Sequence, residues 1–240
     1  KPGAILLADG NGSTGGSHVH YDIQLQGGDI NATFSRNAFL GKPFTLLVGA
    51  RYFLLEESLG IDDRTTNIRA GVATSALDSF STRNQFFGGQ VGGHWNVSRD
   101  RFTADVVAKV AYGAMLQTTA IDGTTTLAVR NAPPRTFPGG TLALPTNNGT
   151  YRDTKLALIP EVSANLGYRA SDRLTLFAGY NFLYVSDVVR PGSRIDTTVN
   201  PDYLPLTRNT GATALLRPAV GEHQNDFWAM GVTAGFVLNY

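Results

Sequence analysis

Between residues 154 and 187 apolar and polar side chains alternate with a period of two. Leu156, Leu158, Pro160, Val162, Ala164, Leu166 and Tyr168 fall on one side, and Lys155, Ala157, Ile159, Glu161, Ser163, Asn165, Gly167 and Arg169 on the other. After the polar link at 170–173 the alternation resumes with Leu174, Leu176, Ala178, Tyr180, Phe182 and Tyr184. Successive side chains of a strand point to opposite faces, so this period predicts strands, and the short link predicts an antiparallel hairpin. Each apolar stripe is free of charge and is longer than the roughly 9–11 residues that a tilted strand needs to cross a bilayer.

The same period recurs along the chain and predicts seven strands, at about 18–36, 43–58, 82–97, 102–119, 154–169, 173–186 and 226–240. In the first, the apolar set starts at Val19, Tyr21, Ile23 and Leu25 and resumes one step out of phase at Ile30, Ala32 and Phe34, which predicts a bulge at Gly27 and Gly28. Residues 59–81 are polar and lack a clear period, so they read as a loop. Asp122 and Gly123 read as a hairpin turn leading to a projecting ribbon that stops near Ala132, Pro133 and Pro134. Long connections are expected up to Arg152 and from Val188 to Asn225.

Short turns alternating with long loops suit an antiparallel transmembrane β-barrel of the outer membrane, with short periplasmic turns and longer extracellular loops. Aromatic residues near the strand ends form two expected girdles, Phe34, Phe44, Trp95, Phe102 and Tyr168 at one level and Tyr21, Phe87, Tyr112, Tyr184 and Trp228 at the other. The last strand ends Phe236, Leu238, Tyr240, an aromatic end with apolar residues at every second position, which reads as an assembly signal. Leu158, Val106, Val232 and Leu176 are expected to face lipid.

Composition narrows the class further. The chain has 240 residues, enough for one substantial domain or two small ones, and only 16% are charged, with a net charge of +1. Mean hydropathy is −0.09. No basic field argues for nucleic acid, and the absence of cysteine removes disulfides and thiolate metal sites. No run of 18 apolar residues predicts a transmembrane helix, and the apolar part of residues 1–9 is too short for a signal peptide.

The residues resemble a known family, the putative beta barrel porin-7 family of bacterial outer-membrane proteins. The resemblance is carried by LLVGARYFLLEESL (46–59), TRNQFFGGQVGGHWN (82–96), GGTLALPTN (139–147), IPEVSANLGY (159–168), FAGYNFLYVSDVVRPGSRID (177–196) and DFWAMGVTAGF (226–236). It implies an outer-membrane barrel with a porin-like role, and a longer chain with about three further strands ahead of residue 1. Strand parity agrees: single-chain bacterial barrels have even strand numbers. A ten-strand barrel is therefore expected, with a gap between the first and last strands seen here.

Opposite the lipid stripe, Asp29, Arg51, Gln90, Asp105, Lys109, Glu161 and Asn181 are expected to form a polar lumen network, as a constriction or as a salt-bridged filling. Glu161 should lie within ion-pair reach of Lys109 or Arg51. Porin-like passage of small solutes or ions is the first reading. A structural or surface-display barrel, its lumen filled and its long loops binding a partner, is the alternative. Enzymatic chemistry is not expected: His18 and His20 share a face and could join Asp187 at a metal, but no motif fixes that geometry. Of the glycosylation-like triplets, those at Asn31 and Asn96 lie within strands, and Arg190-Pro191-Gly192 reads as a turn. No cofactor or nucleic acid is expected. The expected partners are membrane lipids, the barrel-assembly machinery during insertion, and a second copy or another envelope protein.

Overall fold

The computed structural model describes residues 12–39, 42–207, 215–221 and 223–238, with side chains throughout except at 36–39, 42 and 43. The expected assembly residue Tyr240 lies outside the described residues. The strands are β1 (Ser13–Phe39), β2 (Lys42–Asn67), β3 (Val72–Arg99), β4 (Phe102–Val129), β5 (Arg135–Pro138), β6 (Gly149–Arg169), β7 (Leu174–Val188) and β8 (Asn225–Leu238). They form one antiparallel sheet in the order β1-β2-β3-β4-β6-β7-β8, with β5 beside β4. The sheet is curled into a half-barrel whose edges are β1 and β8.

Register fixes the faces. Asp29 stands opposite Arg51, Gly92 opposite Lys109, and Lys109 opposite Glu161, so all belong to one face. The connections after β5 and β7 fold onto that face, which is therefore the inner one. Leu158, Val106, Val232 and Leu176 stand on the other, outer face, and Val232 is 80% exposed. On the outer face, no Asp, Glu, Lys or Arg falls between Phe44 and Leu54 of β2, between Phe87 and Val97 of β3, or between Phe102 and Leu116 of β4. At ~3.4 Å per residue and a tilt of ~40°, Phe44 to Leu54 rises roughly 26 Å, the height of an outer-membrane apolar band. Its lower rim carries the ring pairs Phe44–Trp95 and Phe102–Tyr168, each with centroids 4.9 Å apart, and its upper rim Tyr52–Phe87 at 5.1 Å.

The sheet does not stop at this band, and four expectations change as a result. Residues 59–81 are not a loop: β2 and β3 pair continuously from Phe44–Trp95 to Asn67–Val72 and turn at 68–71. The pairing of Gly27 with Phe53 and Gly28 with Tyr52 is unbroken, so no bulge lies there. The strand instead crosses the boundary of the band: the apolar side chains Tyr21, Ile23 and Leu25 point inward above it, whereas Ile30, Ala32 and Phe34 point outward within it. An inverted polarity looks like a slipped register when the medium outside changes from lipid to water. Tyr21 accordingly leaves the expected outer girdle and donates its hydroxyl proton to the buried Glu57 on the inner side.

Asp122 and Gly123 are not a turn either. β4 runs straight through them, with Gly123 opposite Asp78, and ends opposite Val72. Glycine is required here because a Cβ would collide with the Ala143 carbonyl oxygen. The segment around 139–147 packs against the strand at this point. Asp78 holds it there, its carboxylate accepting the N–H groups of Thr141 at 3.0 Å, Leu142 at 3.0 Å and Ala143 at 2.7 Å. Burial nevertheless pushes the Asp78 carboxyl above its ordinary range.

Candidate functional site

At the level of the apolar band, the inner face carries a row of charges contributed by four strands. Arg51 of β2 donates from Nη2 to Glu161 Oε2 of β6 at 2.5 Å. Lys109 of β4 lies 3.3 Å from the other oxygen of Glu161 and 2.6 Å from Asp29 Oδ2 of β1. Gln90 of β3 donates its amide to Asp29 at 2.8 Å and to Asn31 at 2.6 Å. The expectation that Glu161 reaches Lys109 or Arg51 is met by both partners.

The alternation accounts for this convergence. Each of these residues occupies an inward position, and the registers bring those positions to one height. Two cations and two carboxylates make the row neutral, which lowers the cost of holding four charges away from bulk water. Their side chains are between 11% and 27% exposed. Arg51 Nη1 and Gln90 Oε1 are buried without a protein partner. A cavity of about 390 Å³ opens against the row, bordered by Asp29, Arg51, Lys109, Glu161, Phe53 and Leu183.

Small residues let the strands curl around this row. Gly88 lies where a Cβ would run into the Phe86 ring, and Gly113 where it would run into the Phe87 carbonyl oxygen. Phe86 thus lies flat along the wall above Gly88. A sheet that lays its side chains over glycine is tightly curved.

Two of the expected network residues stand apart from the row. Asp105 is on the inner face but nearer the short turns, where it meets His94 Nε2 at 2.5 Å and Asn96 Nδ2 at 3.1 Å. Asn181 is on the inner face, opposite Ser163 and Gly231. His18 and His20 stack with ring centroids 6.4 Å apart on the outer face of β1.

Immediately above the charges the inner face turns apolar. Phe53, Leu55, Phe86, Met115, Ile159 and Val185 form a fully buried layer, joined by Val188 at the end of β7. The connection after β7 enters this layer. Val189 is buried, and the Asn84 side chain both donates to the Val189 carbonyl and accepts its N–H, each at 2.8 Å. Gln117 donates to the Asp187 carbonyl at 2.6 Å. Arg190 then clasps Glu57, with Nη2 2.7 Å from Oε1, and this carboxylate raises the pKa of the Arg190 guanidinium. Further out, Arg194 donates to the Gly221 carbonyl at 2.6 Å. Arg217 pairs with Asp196 at 2.6 Å.

This latch was not expected from the sequence. Asn84, Glu57 and Gln117 are inward residues of strands, which the period can show. Their partners are the Val189 backbone, the Asp187 carbonyl and the Arg190 guanidinium, at the end of β7 and just beyond it, where the period gives no guide.

A family model described as putative beta barrel porin-7 matches residues 3–240. No curated protein and no solved structure matches.

Proposed function

Because the chain belongs to the putative beta barrel porin-7 family over essentially its whole length, we propose that it is an outer-membrane barrel that passes small polar solutes or ions along its inner wall. The observation that carries this reading is the contrast between the two faces at one height: an outer face without charge, and an inner face carrying the Arg51–Glu161–Lys109–Asp29 row. The row acts as the constriction. A passing ion exchanges hydration for these fixed charges, and the neutrality of the row favours neither sign strongly. The short turns face the periplasm and the extended strands with their long connections face outward. The chain itself carries out no covalent chemistry.

Planar-bilayer recording tests this. The full-length protein should give stable conductance with weak ion selectivity. Glu161→Gln removes a negative charge and should shift the reversal potential toward anion preference, and Arg51→Gln should shift it toward cations. Conductance whose selectivity is indifferent to both changes would contradict the role given to the row.

A second reading has its own support, the apolar layer and the latched connection directly above the charges. On that reading the interior is filled, as in narrow barrels generally, and the charges stiffen the wall. The two readings separate on one variant. If the connection is a plug over a conducting lumen, Arg190→Ala with Asn84→Ala raises conductance. If the interior is filled, the variant stays silent.

A further inference from the structure

The outer wall is not uniform at its lower rim. A groove of about 450 Å³ crosses β3, β4, β6 and β7 and is lined on its apolar side by Val97, Phe102, Ala104, Leu166, Leu176 and Ala178. The register explains the hollow, since Ala104 pairs with Leu166 and Leu166 with Ala178, so small side chains alternate with large ones along one row. The stacked Phe102 and Tyr168 rings border the groove at its lower end, where Arg99 also lines it. A second hollow of about 440 Å³ shares Phe102 and Tyr168 and adds Asp100 and Arg101.

The charge at this end is one-sided. The turn 99–102 and the neighbouring turn 169–174 meet where the Arg169 N–H donates to the Arg101 carbonyl at 2.8 Å. Together the two turns bring Arg99, Arg101, Arg169 and Arg173 against Asp100 and Asp172. Among the described residues neither Arg99 nor Arg101 has an ion-pair partner.

We propose that this groove is a binding site for an anionic phospholipid, one acyl chain lying along the groove beside Leu166 and the phosphate held at Arg99 and Arg101. The inference rests on the reading of the outer wall as lipid-facing. The groove alone would take any apolar chain. The arginines select the headgroup, because guanidinium groups recognise phosphate oxygens through paired N–H donors, and the Phe102–Tyr168 pair sits at the interfacial depth that aromatic residues prefer.

The chain has two tryptophans, and Trp95 is the next outward position beyond Val97, which lines the groove. With Trp228→Phe as background, Trp95 fluorescence reports on lipid at this site. The full-length protein is inserted into phosphatidylcholine vesicles containing acyl-brominated phosphatidylglycerol or acyl-brominated phosphatidylcholine. The expected result is stronger quenching by the brominated phosphatidylglycerol, corresponding to a preference on the order of fivefold per arginine. That preference should vanish in Arg99→Gln/Arg101→Gln. Ala104→Leu, which fills the groove and leaves the turn untouched, should also reduce it. Insertion with equal quenching by the two lipids, or a preference that survives the arginine changes, overturns the proposal alone. Failure to insert into either vesicle overturns the membrane reading as well.

Discussion

At the residue scale, the inner wall holds charges that are safe only together. Glu161 faces two cations, Arg51 at 2.5 Å and Lys109 at 3.3 Å. Glu161→Ala should destabilise the barrel by about 3–5 kcal/mol if its surroundings are dry, and by less where water reaches them, because it leaves a buried cation unpaired. The heat needed to convert the folded band to the unfolded band on gels should fall; an unchanged conversion temperature would remove the row from the stability of the wall. Asp196 gives a pH prediction. Burial alone would raise its pKa, but the Ala219 N–H, the Arg217 guanidinium and the Thr198 N–H together outweigh burial and lower it. A carboxyl with a lowered folded pKa stabilises the fold above its unfolded pKa, and that contribution is lost as pH falls through the folded value. Protease cleavage within 188–221 should therefore accelerate as pH drops below the ordinary carboxylate range, and Asp196→Asn should flatten that rise. Cleavage equally steep in both proteins would show that Asp196 does not hold the connection. The inward placement of Arg51, Lys109 and Glu161 was legible from period two, since each is flanked by apolar residues. Their actual partners depended on register, which the sequence carries only indirectly.

At the element scale, the strands were legible inside the apolar band and not beyond it. Within the band, an outer face without charge against an inner face that carries the charged row makes a sharp alternation. Above it, the outer side chains of β2 and β3 become Glu56, Ser58, Asp62, Arg83, Ser81 and Ser79, while Leu59, Ile61 and Phe80 point inward. The period persists with its sign reversed, and the many Ser, Thr and Asp residues disguise it as a loop. Gly123 was misread for a related reason, since Asp-Gly is the strongest short hairpin signal but the glycine here serves a close approach. Gly123→Ala should loosen the 139–147 segment, at a cost of about 1–3 kcal/mol from the forced shift against the Ala143 carbonyl. Gly16→Ala has nothing within 4 Å of the new methyl group and should be tolerated. Hydrogen exchange at 141–143, whose N–H groups bind Asp78, separates the two, and equal protection in both variants would contradict this explanation of Gly123.

At the scale of the whole molecule, the sheet has two edges. β1 and β8 end the strand order, and no ladder joins them among the described residues. Unpaired backbone within lipid costs several kcal/mol per group, so in the bilayer both edges must be paired by something other than each other. Ile30→Cys with Val232→Cys in the native protein should then form no disulfide, whereas Val48→Cys with Val91→Cys, directly opposite on paired strands, should cross-link. An efficient bridge between positions 30 and 232 would show that seven strands close the barrel. The conduction proposed for the charged row, the plugging role of the latched connection and the proposed lipid site all depend on which face meets the bilayer. Spin labels placed one at a time at 162–166 of β6 test this most directly, by their accessibility to oxygen and to a water-soluble nickel chelate. Labels at Val162, Ala164 and Leu166 should meet oxygen and not the chelate, and labels at Ser163 and Asn165 should show the reverse. The opposite phase, or no alternation at all, would contradict this assignment of faces.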